Sequence, residues 1–151
     1  MMTGCVNNAV DTQKTVPQWQ FSTIDDALWL QSPNGERHQL PLQGQEYYPL
    51  PSPDGQWLAV EVQQLSNLRT LRIFEHSAEG PRETAVNAST YLWRHARELD
   101  GIDTDNIRYP AIRVVRWHPS SHALDVELRG ETGDDAAYVK TLTLRIDTLI
   151  K

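Results

Sequence analysis

Several features that mark other classes of protein are scarce in this sequence. Its 151 residues include one cysteine, Cys5, so an internal disulfide framework is excluded. No apolar run approaches the roughly 18 residues that a membrane-spanning helix requires. Lysine occurs only three times, and the net charge of −6 argues against general binding to nucleic acid or to anionic membranes, which needs a basic surface.

Sequence motifs of catalysis and metal binding are also missing. There is no Gly-x-Ser-x-Gly elbow, no phosphate-binding glycine loop and no Cys-x-x-Cys pair. His118 and His122 are four residues apart, but Pro119 predicts a turn instead of the helix that would align them as ligands. Two acidic segments, 103–106 and 131–135, are interpreted as solvated loops. We therefore expect no metal site, no cofactor and no enzymatic activity.

The residues that are present indicate a globular domain with a substantial core. Hydrophobic residues make up 39% of the chain, five of them tryptophans, at a mean hydropathy of −0.53. A chain of this size buries roughly 68–70% of its unfolded surface. Nearly all positive charge is carried by arginine, whose planar guanidinium suits stacked and bidentate contacts at an interface.

The clearest local pattern lies between residues 48 and 75. Ser52–Gly55 is a Ser-Pro-Asp-Gly turn, in which proline fixes φ and glycine accepts a positive φ. Residues 57–62 then alternate as a strand does, with Leu58, Val60 and Val62 on one face and Trp57, Ala59 and Glu61 on the other. After a polar break the alternation resumes over residues 68–75, which predicts a β-hairpin.

Further elements follow from the same rules. Asn87 and its neighbours are candidate N-caps, and Gly101 is a candidate C-cap, for one short helix over residues 89–100 with Leu92, Ala96 and Leu99 on its buried face. A loop is expected over residues 103–110. Strands are predicted over residues 18–22, 27–31, 36–40, 112–117 and 139–147.

The order of these elements resembles the blade-to-blade junction of TolB-like β-propellers. The matching residues are Ser52, Pro53, Asp54, Gly55, Leu58 and Ala59 in the first repeat, with Asn34 and Gly35 at the outer hairpin turn. A degenerate second repeat places Pro119 on Pro53, Leu124 on Leu58 and Glu127 on Glu61. The resemblance implies protein binding as the role of such repeats.

Two degenerate blades are too few to close a propeller, which needs at least about four. We expect a mainly β fold of antiparallel sheets with one inserted helix, either self-contained or covered at its edges by another copy or partner. The expected division is a tether over residues 1–16 and one domain over residues 17–151. Within that domain, the first repeat covers residues 27–86 and the second covers residues 112–149.

The segment Met2-Thr3-Gly4-Cys5 resembles the end of a bacterial lipoprotein signal, in which the cysteine is lipidated. The charged and apolar regions of such a signal do not precede it, so one interpretation is that the recorded start lies inside a longer signal. The alternative is a chance Gly-Cys pair near a cytosolic terminus. The first interpretation predicts a lipid anchor on Cys5 that holds the domain on the periplasmic side of the bacterial envelope.

Arginine and aromatic residues cluster between the predicted helix and the second repeat, and this composition is typical of interface hot spots. The predicted partner-binding residues are Trp93, Arg94, Arg97, Tyr109, Arg113 and Arg116. The sequence favours an accessory subunit of an envelope or secretion complex, and an immunity lipoprotein against a secreted effector is the alternative. A third possibility is a hydrolase or carbohydrate-binding protein whose site combines Trp93, His95, Asp105 and His118.

Overall fold

The computed structural model describes residues 19–32, 35–65, 67–133 and 135–150. The described chain is mainly β, with antiparallel sheets and one α-helix, which confirms the predicted fold class. The strands are β1 (Gln20–Ile24), β2 (Ala27–Gln31), β3 (Arg37–Gln39), β4 (Glu46–Pro51), β5 (Trp57–Leu65), β6 (Leu68–Ser77), β7 (Gly80–Glu83), β8 (Arg108–Trp117), β9 (Ala123–Glu131) and β10 (Ala137–Arg145). Helix α1 spans Ala88–Asp100, and short 3₁₀ turns cover Thr104–Asn106 and Ile146–Thr148.

The strands form two sheets. The smaller has the order β1-β2-β3, and the larger has the order β10-β9-β8-β6-β5-β4, with β7 paired to the C-terminal half of β6. The larger sheet consists of two antiparallel meanders, β4–β6 (the first unit) and β8–β10 (the second unit), joined by parallel pairing of Arg69 with Ala111. Because parallel neighbours need a long crossover, β7 and α1 lie in the connection between the units.

Strand β5 is buried on both faces. Leu58, Val60 and Val62 face a core shared with the smaller sheet, whereas Trp57 and Ala59 face a core shared with α1 and the second unit. The two predicted faces of this strand are therefore confirmed. The first unit is the middle layer of the molecule, with the smaller sheet on one side and the second unit on the other.

The helix begins and ends where its caps predict. The side chain of Asn87 accepts a hydrogen bond from the backbone N–H of Thr90, and Gly101 adopts the left-handed conformation with φ of 68°. Leu92 and Ala96 are buried as expected. The expectation for Leu99 is wrong: it is 52% exposed, because the core ends before the last turn of the helix.

Helix α1 also completes the hydrogen bonding of β6. The Ser89 hydroxyl accepts from the backbone N–H of Leu71 at 2.8 Å and donates to the carbonyl of the same residue at 3.0 Å. These groups lie on β6 between the position paired with β8 and the segment paired with β7. The Ser89 side chain therefore hydrogen-bonds the backbone of β6 at a position that pairs with neither β7 nor β8.

The two units share the backbone geometry of their turns. In the first, Ser52 N–H donates to Trp57 C=O, and in the second His118 N–H donates to Ala123 C=O, both at 2.8 Å. Gly55 and Ser121 occupy equivalent positive-φ positions, at 73° and 66°. The turns also touch, since Asp54 N–H donates to Ser121 Oγ at 3.0 Å.

Several predicted boundaries are wrong. The hairpin over residues 27–39, which the prediction includes in the first repeat, lies in the smaller sheet. Strand β8 begins within the expected loop, at Arg108, and β10 ends at Arg145 because a 3₁₀ turn follows and buries Ile146. Strands β4 and β7 are not predicted, because their Tyr-Pro-Leu-Pro and Gly-Pro segments are typical of turns.

No helix in the described part of the chain is long and apolar enough to cross a membrane.

Candidate functional site

A groove of about 410 Å³ lies between α1 and the start of β6, and we call it the helix groove. One side consists of Trp93, Arg94 and Arg97 on the helix. Ser89 and Thr90 line it from the first turn of the same helix. The facing side is mainly apolar or uncharged and consists of Leu68, Arg69, Thr70, Thr104, Asp105, Ile107 and Pro110. The groove combines an apolar wall with three guanidinium groups and one carboxylate, that of Asp105, which suits an amphipathic side chain or segment.

A second groove of about 580 Å³ lies where the two units meet, and we call it the strand groove. It is lined by Gln63, Asn67, Arg69, Tyr109, Ala111, Arg113, Glu127 and Arg129. Arg69 lines both grooves, so the two form one continuous surface across the joint between the units.

Arg69 is held by a buried carboxylate. Its Nη1 donates to Glu61 Oε1 at 2.9 Å, and the two side chains are only 14% and 7% exposed. The other oxygen, Glu61 Oε2, accepts the backbone N–H of Val114 on β8 at 2.7 Å. The guanidinium also lies 4.3 Å from the ring centroid of Tyr48. One carboxylate therefore fixes Arg69 and links the first unit to the second.

Tyr109 is held in an unusual backbone conformation at the mouth of the strand groove. Its φ is 55°, which is rare for a residue other than glycine, and it is 51% exposed. The pairing of β8 with β9 shifts register between Arg108 and Ala111, which accommodates this conformation. Such strain at an exposed aromatic residue is typical of binding sites.

The arginines around the grooves differ from most others in the chain. Seven arginines each lie within 4 Å of a carboxylate: Arg69, Arg72, Arg82, Arg108, Arg116, Arg129 and Arg145. Among the described residues, Arg37, Arg94, Arg97 and Arg113 make no such pair. Arg37 lies over Trp29 in the smaller sheet, and the other three line the two grooves.

Arg116 lies in a separate polar network on the exposed face of the second unit. Asp125 accepts from Arg116 Nε at 3.0 Å and from Thr143 Oγ1 at 2.8 Å, and it lies 2.8 Å from His118 Nε2. The hydrogen bond with His118, followed by that with Thr143, lowers the pKa of Asp125 to about 2. The carboxylate is consequently ionised throughout the physiological range.

Most predicted partner-binding residues are brought together. Trp93, Arg94 and Arg97 line the helix groove, and Tyr109 and Arg113 line the strand groove. Arg116 is the exception, since it pairs with Asp125. Cys5 and the predicted tether over residues 1–16 lie outside the described residues.

The residues of the hydrolase hypothesis are not assembled into one site. Trp93 and Asp105 line the helix groove, whereas His118 lines a cavity at the turn end of the units together with Ser120 and His122. His95 stacks on Tyr91 instead, with ring centroids 5.8 Å apart.

Sequence reasoning misses Arg69, Arg129 and Glu61 as components of this surface. Glu61 carries a usable signal, because its position in β5 places a charge on the face that also carries Trp57 and Ala59. A carboxylate on an apolar strand face predicts a buried pair with an arginine. Its partner follows only from the register between β5 and β6.

The fold and grooves define a layered β protein with an arginine-rich grooved surface. The chain matches no family model, and it is significantly similar to no curated protein and to no solved structure. The resemblance to TolB-like repeats therefore stays a prediction.

Proposed function

We propose that this chain is a protein-binding module of the bacterial envelope whose partner presents an acidic segment to the helix and strand grooves. One observation carries the proposal. In a chain with 20 acidic and 14 basic residues, three arginines that converge on these grooves have no carboxylate partner among the described residues.

This pattern has a physical meaning. In a chain with surplus carboxylates, surface arginines readily find partners, as Arg116 and Arg129 do here. Within the described part of the chain, no carboxylate pairs with Arg94, Arg97 or Arg113, so their guanidinium donors can bind a carboxylate from outside. Because acidic charge prevails elsewhere, an acidic partner would be repelled by most of the surface and attracted here, which gives orientation as well as affinity.

The grooves also supply the apolar contacts that interface hot spots need. Trp93 is half-buried, and it lines the helix groove together with Leu68, Ile107 and Pro110. An apolar side chain of the partner can pack against these residues while neighbouring carboxylates of the partner bind Arg94 and Arg97. Aromatic and arginine anchors around a desolvated pocket are the composition of energetically dominant contacts.

The proposal is tested by affinity capture with charge-reversed variants. The full chain, tagged at its C-terminus, is incubated with envelope and secreted fractions, and the retained protein is identified. Binding of that protein is then measured for Arg97→Glu and Arg113→Glu, with Arg37→Glu as matched control. Arg37 also has no carboxylate partner among the residues that the structure describes, but it lies away from the grooves. We expect the two groove variants to bind at least about tenfold more weakly and the control to bind as wild type.

Two results would overturn the proposal. One is the absence of any stoichiometric partner, after which a small-ligand screen becomes the relevant experiment. The other is equal loss, or equal retention, of binding in all three variants. The strength of binding separates the possible roles, because an immunity protein holds one effector at nanomolar affinity or better, whereas an assembly subunit binds an envelope protein more weakly.

Location at the envelope depends on lipidation of Cys5 and is tested separately. The gene is expressed with its native upstream DNA, and the mature protein is analysed by mass spectrometry. We expect an acylated Cys5 at the new N-terminus. An intact Met1 with a free thiol would contradict the envelope location while leaving the grooves as a protein-binding surface.

A further inference from the structure

The two outer edges of the larger sheet differ in how they are protected against another strand. One edge is β4, which contains Pro49 and Pro51 and so lacks two of the N–H donors that a ladder needs. The other edge is β10, whose nine residues include no proline. Proline, bulges or charges usually prevent a natural edge strand from pairing with another chain. An edge without such protection therefore indicates a partner strand.

Strand β10 also pairs with its neighbour without a bulge. All nine of its residues pair with β9 without a register shift, whereas the pairings of β5 with β6 and of β8 with β9 are both interrupted. Among the described strands, β10 pairs with β9 alone. In the first unit the corresponding strand, β6, is not an edge, because it pairs with β8 and β7 and also binds Ser89.

The charges on β10 are already paired within the chain. Lys140 Nζ lies 3.4 Å from Asp100 at the end of α1, and Arg145 Nη2 lies 3.1 Å from Asp147. Neither side chain therefore brings a free charge to the edge. The face that points away from the core carries Val139, Thr141 and Thr143, all exposed β-branched residues that favour strand pairing.

We propose that β10 is a dimerisation edge, at which two copies of this chain pair their β10 strands antiparallel about a two-fold axis through Thr141. Thr141 is the midpoint of the strand, so this register pairs all nine residues. An antiparallel pair about an axis perpendicular to the sheet keeps each face continuous, as an isologous contact requires.

The facing residues in this register are compatible. Thr141 faces its own copy, Val139 faces Thr143 of the other copy, and Lys140 faces Leu142. No like charges are directly opposite each other. The second units of the two copies become one continuous sheet, and the residues that line the helix and strand grooves include none from β10.

The test uses the fact that Thr141 faces itself. Sedimentation of the full chain between about 5 and 500 µM is expected to show a dimer fraction that rises with concentration, since edge pairing buries little surface and is weak. Thr141→Asp and Thr141→Lys are each expected to stay monomeric, because identical charges would face each other. A one-to-one mixture of the two variants should dimerise again. Thr23→Asp, at an exposed position of edge strand β1, is the matched control and should behave as wild type.

Circular dichroism establishes that each variant is folded. A wild-type chain that is monomeric at every concentration overturns the proposal, and so does a dimer that both Thr141 variants retain. Amide hydrogen exchange supplies a measurement without mutation: residues 137–145 should gain protection as wild-type concentration rises, and unchanged exchange there would contradict pairing through β10.

Discussion

The two units have the same strand order and the same turn geometry, yet their second strands lie in different surroundings. Strand β5 is covered on both faces, whereas β9 is covered only on the face that carries Leu124, Val126 and Leu128. On the other face, Ala59 and Glu61 of β5 correspond to Asp125 and Glu127 of β9. The local sequence determines the backbone geometry of each turn. Whether a strand face is buried depends on whether its alternate residues are apolar or charged.

The same turn pattern therefore occurs in an inner layer and in an outer layer of the molecule. In the first unit, the face with Trp57 and Ala59 packs on the second unit, and its one carboxylate is matched by Arg69. In the second unit, the equivalent face carries Asp125, Glu127 and Arg129, which pair with neighbours on the same surface. The stack of layers therefore ends at this charged face.

The largest effect is expected from placing a carboxylate at Ala59 of β5, the position that is equivalent to Asp125 of β9. Ala59 has no exposed surface, and Ala59→Asp would bury a carboxylate without a partner. That costs several kcal/mol against a total stability of about 5–15 kcal/mol, so we expect the variant to fail to fold. Asp125→Ala, at the equivalent position, should remain folded. Circular dichroism and soluble yield measure both, and a folded Ala59→Asp chain would show that the two faces are less different than their burial indicates.

A smaller difference is expected between the equivalent glutamates. Glu61→Ala leaves Arg69 without its carboxylate and the N–H of Val114 without an acceptor, which should lower the free energy of unfolding by about 3–5 kcal/mol. Glu127→Ala removes an exposed pair with Arg129 and should cost less than about 1 kcal/mol. Urea denaturation of both variants gives the comparison. Equal losses would contradict the assignment of Glu61 as the link between the units.

The smallest effect concerns pH and exists only in the second unit, since Ala59 does not titrate. The pKa of Asp125 is about 2 in the folded protein, below the ordinary value of about 3.9 in an unfolded chain. Its contribution to stability is therefore complete above pH of about 4 and is lost as pH falls towards 2. The stability difference between wild type and Asp125→Asn should shrink over this range in acid-unfolding measurements. A difference that is constant with pH would show that the carboxylate is not ionised preferentially in the folded state.

The sequence predicts the elements whose signals are local. The alternation of residues 57–62 gives both faces of β5, and Asn87 and Gly101 give the ends of α1. Strand β4 is missed because Pro49 and Pro51 are typical of turns, and only its place at a sheet edge makes them acceptable.

The candidate site is predicted in part for the same reason. Composition indicates Arg94, Arg97 and Arg113, but it does not distinguish them from Arg116, whose carboxylate partner comes from the neighbouring strand. Arg69 is missed altogether, since its position between the two grooves depends on the pairing of β6 with β8. Such non-local pairing leaves no periodic signal in the sequence.

The single parallel pair between Arg69 and Ala111 has a consequence for the order of folding. Within each unit, consecutive strands meet through short connections, and hairpins of this kind form in roughly 1–10 μs. Joining the units requires closure of the whole segment that contains β7 and α1. The chain loses the conformational entropy of this loop before the shared core has formed and can stabilise the joint. The two meanders are therefore expected to form early, and the joint that creates both grooves is expected to form last.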